Sequence, residues 1–392
     1  MAGMEHPTPE AIEALMDRAA TLKSALVDYA TSPGFKKRLA ARYDDVLKTG
    51  LGRENSLYEA IESILYDRGP GAEPLIERYL RTNKTLDLAD RATYESWRDR
   101  GIFGVFKVIE HAADRLLLRN LIDELDYETY SSQGSAAISE VKPGGFVMTR
   151  IVPIGHLYTL SGTTKNFGPQ DAATARSLAA RLLSLDHSLP LNNPQKLAAA
   201  RANVARNHRI FGELFGSHAL QGTGCQMIEA YRTFLETSQR EAAVGNGKPD
   251  DDARTGLQLA PDDSFPTGFA TLQDVRLVHH PVKSAVFLVD YEMLEDAHRT
   301  PPDDAGDPGA KVLRGYLEDD QIPFFILESL AGQHPDTVDD LYRVALSRPG
   351  FSWERDGKAL LRTYKPAPIH HEDLPRIAMV PVPLAEAYRN LT

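Results

Sequence analysis

Short runs of β-branched and aromatic residues crowd into residues 105–162, and Gly, Pro or Asp turns separate them. Runs of this kind predict short strands that form a meander or a small barrel. The five expected strands are 105–110, 116–119, 127–130, 146–152 and 157–160. Val105 and Phe106 should face opposite sides of the sheet, because side chains alternate along a strand. The pattern therefore predicts a small five-strand β barrel or meander at residues 101–165.

Apolar residues recur every three or four positions in residues 8–30: Ile12, Leu15, Ala19, Leu22, Leu26 and Tyr29. This spacing places one apolar stripe along a helix. Similar patterns up to Arg98, interrupted by Gly and Pro, predict an N-terminal helical bundle at residues 1–100. A second helical region is expected at residues 166–242. The fold class is therefore α+β.

Composition changes at residues 243–263, where Gly, Pro and three consecutive Asp residues predict a linker or mobile loop. A C-terminal α+β region should follow at residues 264–392, starting with a hairpin of 275–279 and 285–291. Helices at 323–331 and 337–346, followed by a second predicted hairpin of 351–353 and 360–364, give the outline of a winged helix. The second of these helices is acidic at its start, which argues against a DNA reader.

The whole sequence of 392 residues carries a net charge of −11. This charge argues against broad nucleic-acid binding, which needs clustered Lys and Arg, so a protein partner is favoured over nucleic acid. No apolar run approaches the roughly 18 residues that span a bilayer. The N-terminus lacks the pattern of a signal peptide. With the lone Cys225, these features predict a cytoplasmic protein without membrane association.

Two His-His pairs are the candidates for metal chemistry. Imidazole with nearby carboxylate is how Zn, Mn or Fe sites are built, and the second pair is followed by Glu372 and Asp373. Adjacent strand residues point to opposite faces, so each pair can offer one ligand to a common site. The candidate metal ligands are His279, His280, Asp290, His370 and His371. The alternative is that these are ordinary core or surface histidines, because no spaced metal motif supports the site. No other cofactor motif is present.

The β module also supplies the candidate binding residues Tyr130, Tyr158 and Arg150. Each of the two tyrosines has an apolar ring and a polar hydroxyl, which suits a partly solvated binding surface, so we expect them to be exposed. By contrast, we expect one small core to form from four strand residues: Phe106, Leu118, Phe146 and Ile151. The sequence therefore favours a non-catalytic binding or scaffold protein that uses the β module as a docking surface. The alternative is a metal-dependent hydrolase or nuclease that acts through the C-terminal His and Asp residues.

Residues 97–162 resemble a β segment of uncharacterised bacterial proteins. The likeness rests on Trp97, residues 103–118, Asp123 and the runs 143–145 and 150–153. Those proteins often carry the Cys/His zinc motif also found at the C-terminus of the SecA translocase, whose cysteines this chain lacks. The resemblance implies a cytosolic bacterial protein with a small β module and implies nothing about metal.

Overall fold

The computed structural model describes eight stretches of the chain: residues 8–48, 53–67, 73–112, 114–245, 265–319, 322–365, 374–375 and 379–391. The fold is α+β, as the sequence predicts. The chain divides into two compact units, one of Met1–Asn193 with Val380–Thr392 and one of Pro194–Met379. The helical region expected at 166–242 spans the boundary between them. Most of the expected linker, residues 246–263, lies outside the described residues.

Five helices open the first unit: α1 (Pro9–Thr31), α2 (Lys36–Leu47), α3 (Arg53–Tyr66), α4 (Leu75–Thr82) and α5 (Leu88–Arg100). The Thr8 hydroxyl caps α1 by accepting from the Ala11 amide, and Asp87 caps α5 in the same way. The apolar stripes of α1, α3, α4 and α5 share a core with Trp97 and with Val152, Ile154 and Leu157 of the sheet. Burial of these stripes, rather than helix propensity alone, holds the bundle together.

Five strands follow: β1 (Ile102–His111), β2 (Arg115–Asn120), β3 (Asp126–Tyr130), β4 (Phe146–Ile154) and β5 (Leu157–Phe167). They pair in the closed order β1-β2-β3-β5-β4. The parallel β3–β5 contact that closes the ring has only two residue pairs, and the β1–β2 and β4–β5 ladders each contain a register shift. The sheet is therefore closed but irregular, and it is not a simple meander.

The inside of this sheet contains Phe106, Leu118 and Ile151, as the sequence predicts, together with Tyr127 and Val147. The prediction for Phe146 is wrong. Phe146 packs on the outside in a separate cluster with Val105 and α6 (Ala172–Leu185). Because Phe146 and Ile151 are five positions apart, strand alternation places them on opposite faces.

The end of the chain returns to the first unit. Val380 and Leu384 are buried in the cluster of Val105 and α6, and the short helix α14 (Ala385–Arg389) packs on α6. The His187 ring contacts the Tyr388 hydroxyl at 2.7 Å. The last described residues therefore cover the outer side of β1 and β4.

The second unit begins with α7 (Pro194–Phe215), β6 (Ala219–Gly222) and α8 (Gly224–Gly245). The expected hairpin is present as β7 (Val275–His280) and β8 (Ser284–Val289), and β6 adds a third strand beside β7. Four helices follow: α9 (Tyr291–Arg299), α10 (Pro308–Glu318), α11 (Phe324–Gln333) and α12 (Val338–Ala345). They bury one apolar core with α13 (Lys358–Tyr364), the last helix that the structure describes in this unit.

The winged-helix prediction is wrong. In place of the second hairpin, a π-helical turn at Trp353–Gly357 runs directly into α13. Gly357 is helical and close to the Trp353 ring, where a Cβ atom would lie 2.8 Å from Cδ2. Gly357, which suggests a hairpin turn in the sequence, therefore lies within helical structure, where its missing side chain leaves space for the Trp353 ring. Within the described residues, no helix is both long and apolar enough to cross a bilayer.

Candidate functional site

Arg150 lies in a buried polar network between the helices and the sheet of the first unit. It stands on β4 opposite Ser161 of β5 and is 9% exposed. Its Nη2 donates to Asp67 Oδ1 at 2.6 Å, and its guanidinium lies over the Tyr66 ring, 4.8 Å from the centroid. Its Nε makes no hydrogen bond to a described residue and stands 3.8 Å from Glu62 Oε2. Arg150 therefore faces the helices rather than the solvent.

The centre of this network is formed by Lys23 of α1, Glu62 of α3 and Ser161. Lys23 Nζ donates to Glu62 Oε1 and, at 2.8 Å, to Ser161 Oγ. Ser161 Oγ in turn donates to Glu62 Oε2 at 3.0 Å. Burial alone would lower the pKa of Lys23, but the attraction and hydrogen bonds of Glu62 and Tyr66 together outweigh burial and raise that pKa. The lysine therefore stays charged as the ionic partner of Glu62.

A serine beside a lysine is also the arrangement of some nucleophilic sites, in which a neutral lysine takes the serine proton. The geometry here does not suit that chemistry. Ser161 is 3% exposed, its proton is directed at Glu62, and Lys23 is protonated. The network instead fixes α1 and α3 on β5, and Gly162, with a φ of 77°, leaves room for the Glu62 side chain.

The two candidate binding tyrosines do not form an exposed pair. Tyr130 is 5% exposed, which contradicts the expectation, and its hydroxyl donates to Glu128 Oε1 at 2.8 Å. It packs in the core shared with the helices. Tyr158 is half-buried, and its ring stands edge-on to Tyr127 with the centroids 5.0 Å apart. Neither ring forms a protruding aromatic surface.

The candidate metal ligands point in different directions. His279 and His280 alternate on β7, so His279 is buried while His280 packs on the Phe325 ring at 4.1 Å. His280 Nδ1 accepts from two backbone amides at 3.1 Å, and Asp290 begins α9 in a left-handed conformation. His370 and His371 lie outside the described residues. Among the residues described, no three His, Cys, Asp or Glu side chains form a group that could hold a metal ion.

Sequence reasoning missed two histidines that surround His279. The rings of His208 on α7 and His218 before β6 stack at 3.7 Å, and His208 Nδ1 stands 3.4 Å from His279 Nδ1. Burial, joined by repulsion from neighbouring histidines, lowers the pKa of His279 to about 4. His279 is therefore neutral near pH 7. Because the three residues are far apart in the sequence, only the fold could reveal the cluster.

A second buried histidine, His298 on α9, gives the protein a testable pH dependence. It is fully buried, and its Nδ1 lies 2.8 Å from the Leu294 carbonyl oxygen. Burial lowers its pKa to about 4. In the unfolded state the His298 imidazole has its ordinary pKa of about 6.5, so it takes up a proton below that pH while the folded state does not. The protein therefore loses stability as the pH falls from about 6.5 towards 4.

We expect His298 to account for about 2 kcal/mol of the stability lost between pH 8 and pH 5. Urea unfolding of the native protein and His298→Gln at both pH values measures this difference. The exposed His156 serves as the matched control, as His156→Gln should leave the pH dependence unchanged. If the free energy of unfolding falls equally between pH 8 and pH 5 in all three proteins, His298 is not buried in its neutral form.

Exposed and half-buried residues of β1, β2 and β3 form one outer surface of the closed sheet beyond Val105, and we call it the outer β1–β3 face. Its exposed or half-buried members are Lys107, Ile109, Glu110, Arg115, Leu117, Arg119, Asp126 and Glu128. Arg115 pairs with Glu110 at 2.6 Å and with Glu128 at 3.5 Å, and Arg119 pairs with Asp126 at 2.7 Å. Ile109 sits where the β1–β2 register shifts and is 39% exposed. Alternation from Val105 and Lys107 already directs Ile109 outward, and the bulge adds Glu110, the next residue, to the same face.

Comparison of this chain with protein-family models, with curated proteins and with solved structures finds no match. The resemblance of residues 97–162 to the bacterial β segment therefore stays a prediction.

Proposed function

We propose that this protein is a non-catalytic binding protein that docks another protein on the outer β1–β3 face. The observation that carries the proposal is the exposed Ile109 on a bulge, within a face whose other charges are largely paired. Bulges re-aim side chains and are over-represented near functional positions. A central apolar residue inside a polar rim is the usual arrangement of a protein interface.

The charge of this face favours an acidic partner segment. Lys107 stands in register with Arg119, so two cations are adjacent on neighbouring strands. Asp126 pairs with Arg119, whereas Lys107 forms no ion pair with any residue in the described part of the chain. Because Arg115 and Arg119 are paired with carboxylates, Lys107 is the cation of this face that remains for a partner, beside the exposed Ile109. Complementary charge steers association and fixes the register of docking.

The closed sheet also determines how docking occurs. Each strand has a neighbour on both sides, although β3 and β5 pair at only two positions, so no complete strand edge is free for a partner strand. Docking would therefore use side chains. The buried network of Lys23, Glu62 and Arg150 fastens helices to the opposite side of the sheet and keeps the face rigid. A rigid face loses little conformational entropy on binding.

The test places a photo-cross-linking amino acid at Ile109 in cells that naturally produce the protein. We expect a discrete adduct that Lys107→Glu abolishes, because the reversed charge repels an acidic segment. Lys107 is exposed and unpaired, so this change leaves the fold intact. Lys84→Glu, at an exposed lysine of the same unit, is the matched control and should preserve the adduct.

A cross-linker at Leu88, which is 87% exposed on α5, should give no discrete product. The proposal fails if Ile109 gives no adduct, or if Lys107→Glu and Lys84→Glu have equal effects.

A further inference from the structure

An open depression of about 410 Å³ lies in the second unit, far along the chain from the outer β1–β3 face. One wall is the loop 348–351 that follows α12. The other is the face of the π turn and α13 that carries Asp356, Ala359, Leu360 and Thr363. Phe351 and Leu360 belong to the buried core and give the depression an apolar floor. Apolar walls with a few polar groups are typical of small-molecule sites.

Both walls contain an unusual backbone conformation. Ser347, immediately before the loop, has a φ of 53°, which a residue other than glycine rarely adopts. The opposite wall begins with the π-helical turn at Trp353–Gly357. Strained residues and π turns both occur preferentially at functional sites. Ser347 adjoins the first wall, and the π turn contributes Asp356 to the second, so both features lie next to the depression.

The charges around the depression favour an anion. Arg355 Nε and Nη2 donate to the two oxygens of Asp356 at 2.9 and 2.7 Å, so this carboxylate is neutralised. The Ser352 amide also donates to Asp356. These contacts lower the pKa of Asp356. Arg348 makes no hydrogen bond or ion pair through its side chain with any residue that the structure describes, although its charge also helps to lower the pKa of Asp356. Its guanidinium therefore stands at the rim with its hydrogen-bond donors available.

We propose that this depression binds a small molecule that joins one carboxylate to an apolar group. The guanidinium of Arg348 receives the carboxylate, which matches its planar fork of donors. The apolar group rests on Phe351 and Leu360, and the Thr363 hydroxyl stands at the far end of the same wall. This ligand class follows from an arginine at the rim, outside any close ion pair among the described residues, beside an apolar floor.

The test uses benzoate as the probe and its neutral analogue benzamide as the comparison. Titration calorimetry and ligand-observed NMR on the full chain should detect benzoate binding and much weaker benzamide binding. Arg348→Gln should weaken benzoate binding at least about tenfold, the effect of losing a charge-assisted hydrogen bond. Arg348 is exposed, so its replacement does not endanger the core.

Arg362→Gln is the matched control, because Arg362 is an exposed cation of α13 that does not line the depression. It should bind benzoate as the native protein does. Ala359→Met, at an exposed wall position, should fill the depression and reduce binding without loss of the folded state by circular dichroism. The proposal is overturned if benzoate does not bind at millimolar concentration, if benzamide binds equally well, or if Arg348→Gln and Arg362→Gln behave alike.

Discussion

Glu62→Gln is expected to lower the free energy of unfolding of the first unit by about 3–5 kcal/mol, the usual cost of breaking a buried ion pair. Glu62 side-chain atoms are 8% exposed and those of its partner Lys23 are 21% exposed. The change leaves the charge of Lys23 without a counter-charge. It also removes the carboxylate that lies beside the Arg150 guanidinium. Denaturation can be followed through Trp97 in a Trp353→Phe background, because the chain has only these two tryptophans.

The control is Asp90→Asn, which removes a half-exposed partner of Arg18 on α1. Exposed pairs of this kind contribute about 0–1 kcal/mol. The double variant Lys23→Met/Glu62→Leu should be more stable than Glu62→Leu alone, since it leaves no unpaired lysine. Equally small losses for Glu62→Gln and Asp90→Asn would show that solvent, not Glu62, balances the Lys23 charge.

The features predicted correctly from the sequence are those that depend on neighbouring residues alone, namely secondary structure and the two faces of a strand. The apolar stripe of α1 and the β-branched run of β4 specify their own secondary structure because neighbouring residues form each face. The opposite faces of Val105 and Phe106 also followed from alternation alone, and the structure places them in separate clusters. These predictions needed no knowledge of which elements meet.

The polar network could not be predicted in this way, because its members meet only in the fold. Lys23 and Ser161 are 138 positions apart, and Glu62 is 99 positions from Ser161. One signal was present: Lys23 lies four residues after Ala19 and three before Leu26, within the apolar stripe of α1. A charge in that stripe requires a buried partner, although the sequence does not name it.

Irregular backbone accounts for the other misses. The shift in the β1–β2 register places Glu110 on the outer face beside Ile109, where a regular alternation would direct it inward. The π turn before α13 likewise replaced the second predicted hairpin, because Leu360 and Leu361 bury a helical face in the core. The metal candidates at His370 and His371 lie outside the described residues, so the hydrolase alternative stays a prediction.

Phe106→Ala is expected to cost about 3–5 kcal/mol of stability, because it empties a fully buried aromatic site inside the closed sheet. Ile109→Ala, on the same strand but 39% exposed, is the matched control and should change stability by less than about 1 kcal/mol. Chemical denaturation followed through Trp97 measures both. Similar losses at the two positions would mean that the sheet has no packed interior.

A double-mutant cycle then tests whether the inside and outside of the sheet are separate cores. Phe106 and Tyr127 stand edge-on with centroids 6.1 Å apart, so Phe106→Leu and Tyr127→Leu should couple by about 0.5–1.5 kcal/mol. Phe146 packs with α6 on the other face, so Phe106→Leu and Phe146→Leu should be additive within about 0.5 kcal/mol. A larger coupling to Phe146 than to Tyr127 would return Phe146 to the single core that the sequence predicted. If the effects of Phe106→Leu and Phe146→Leu on stability are additive, the residues inside the sheet and those on its outer face form two independent cores.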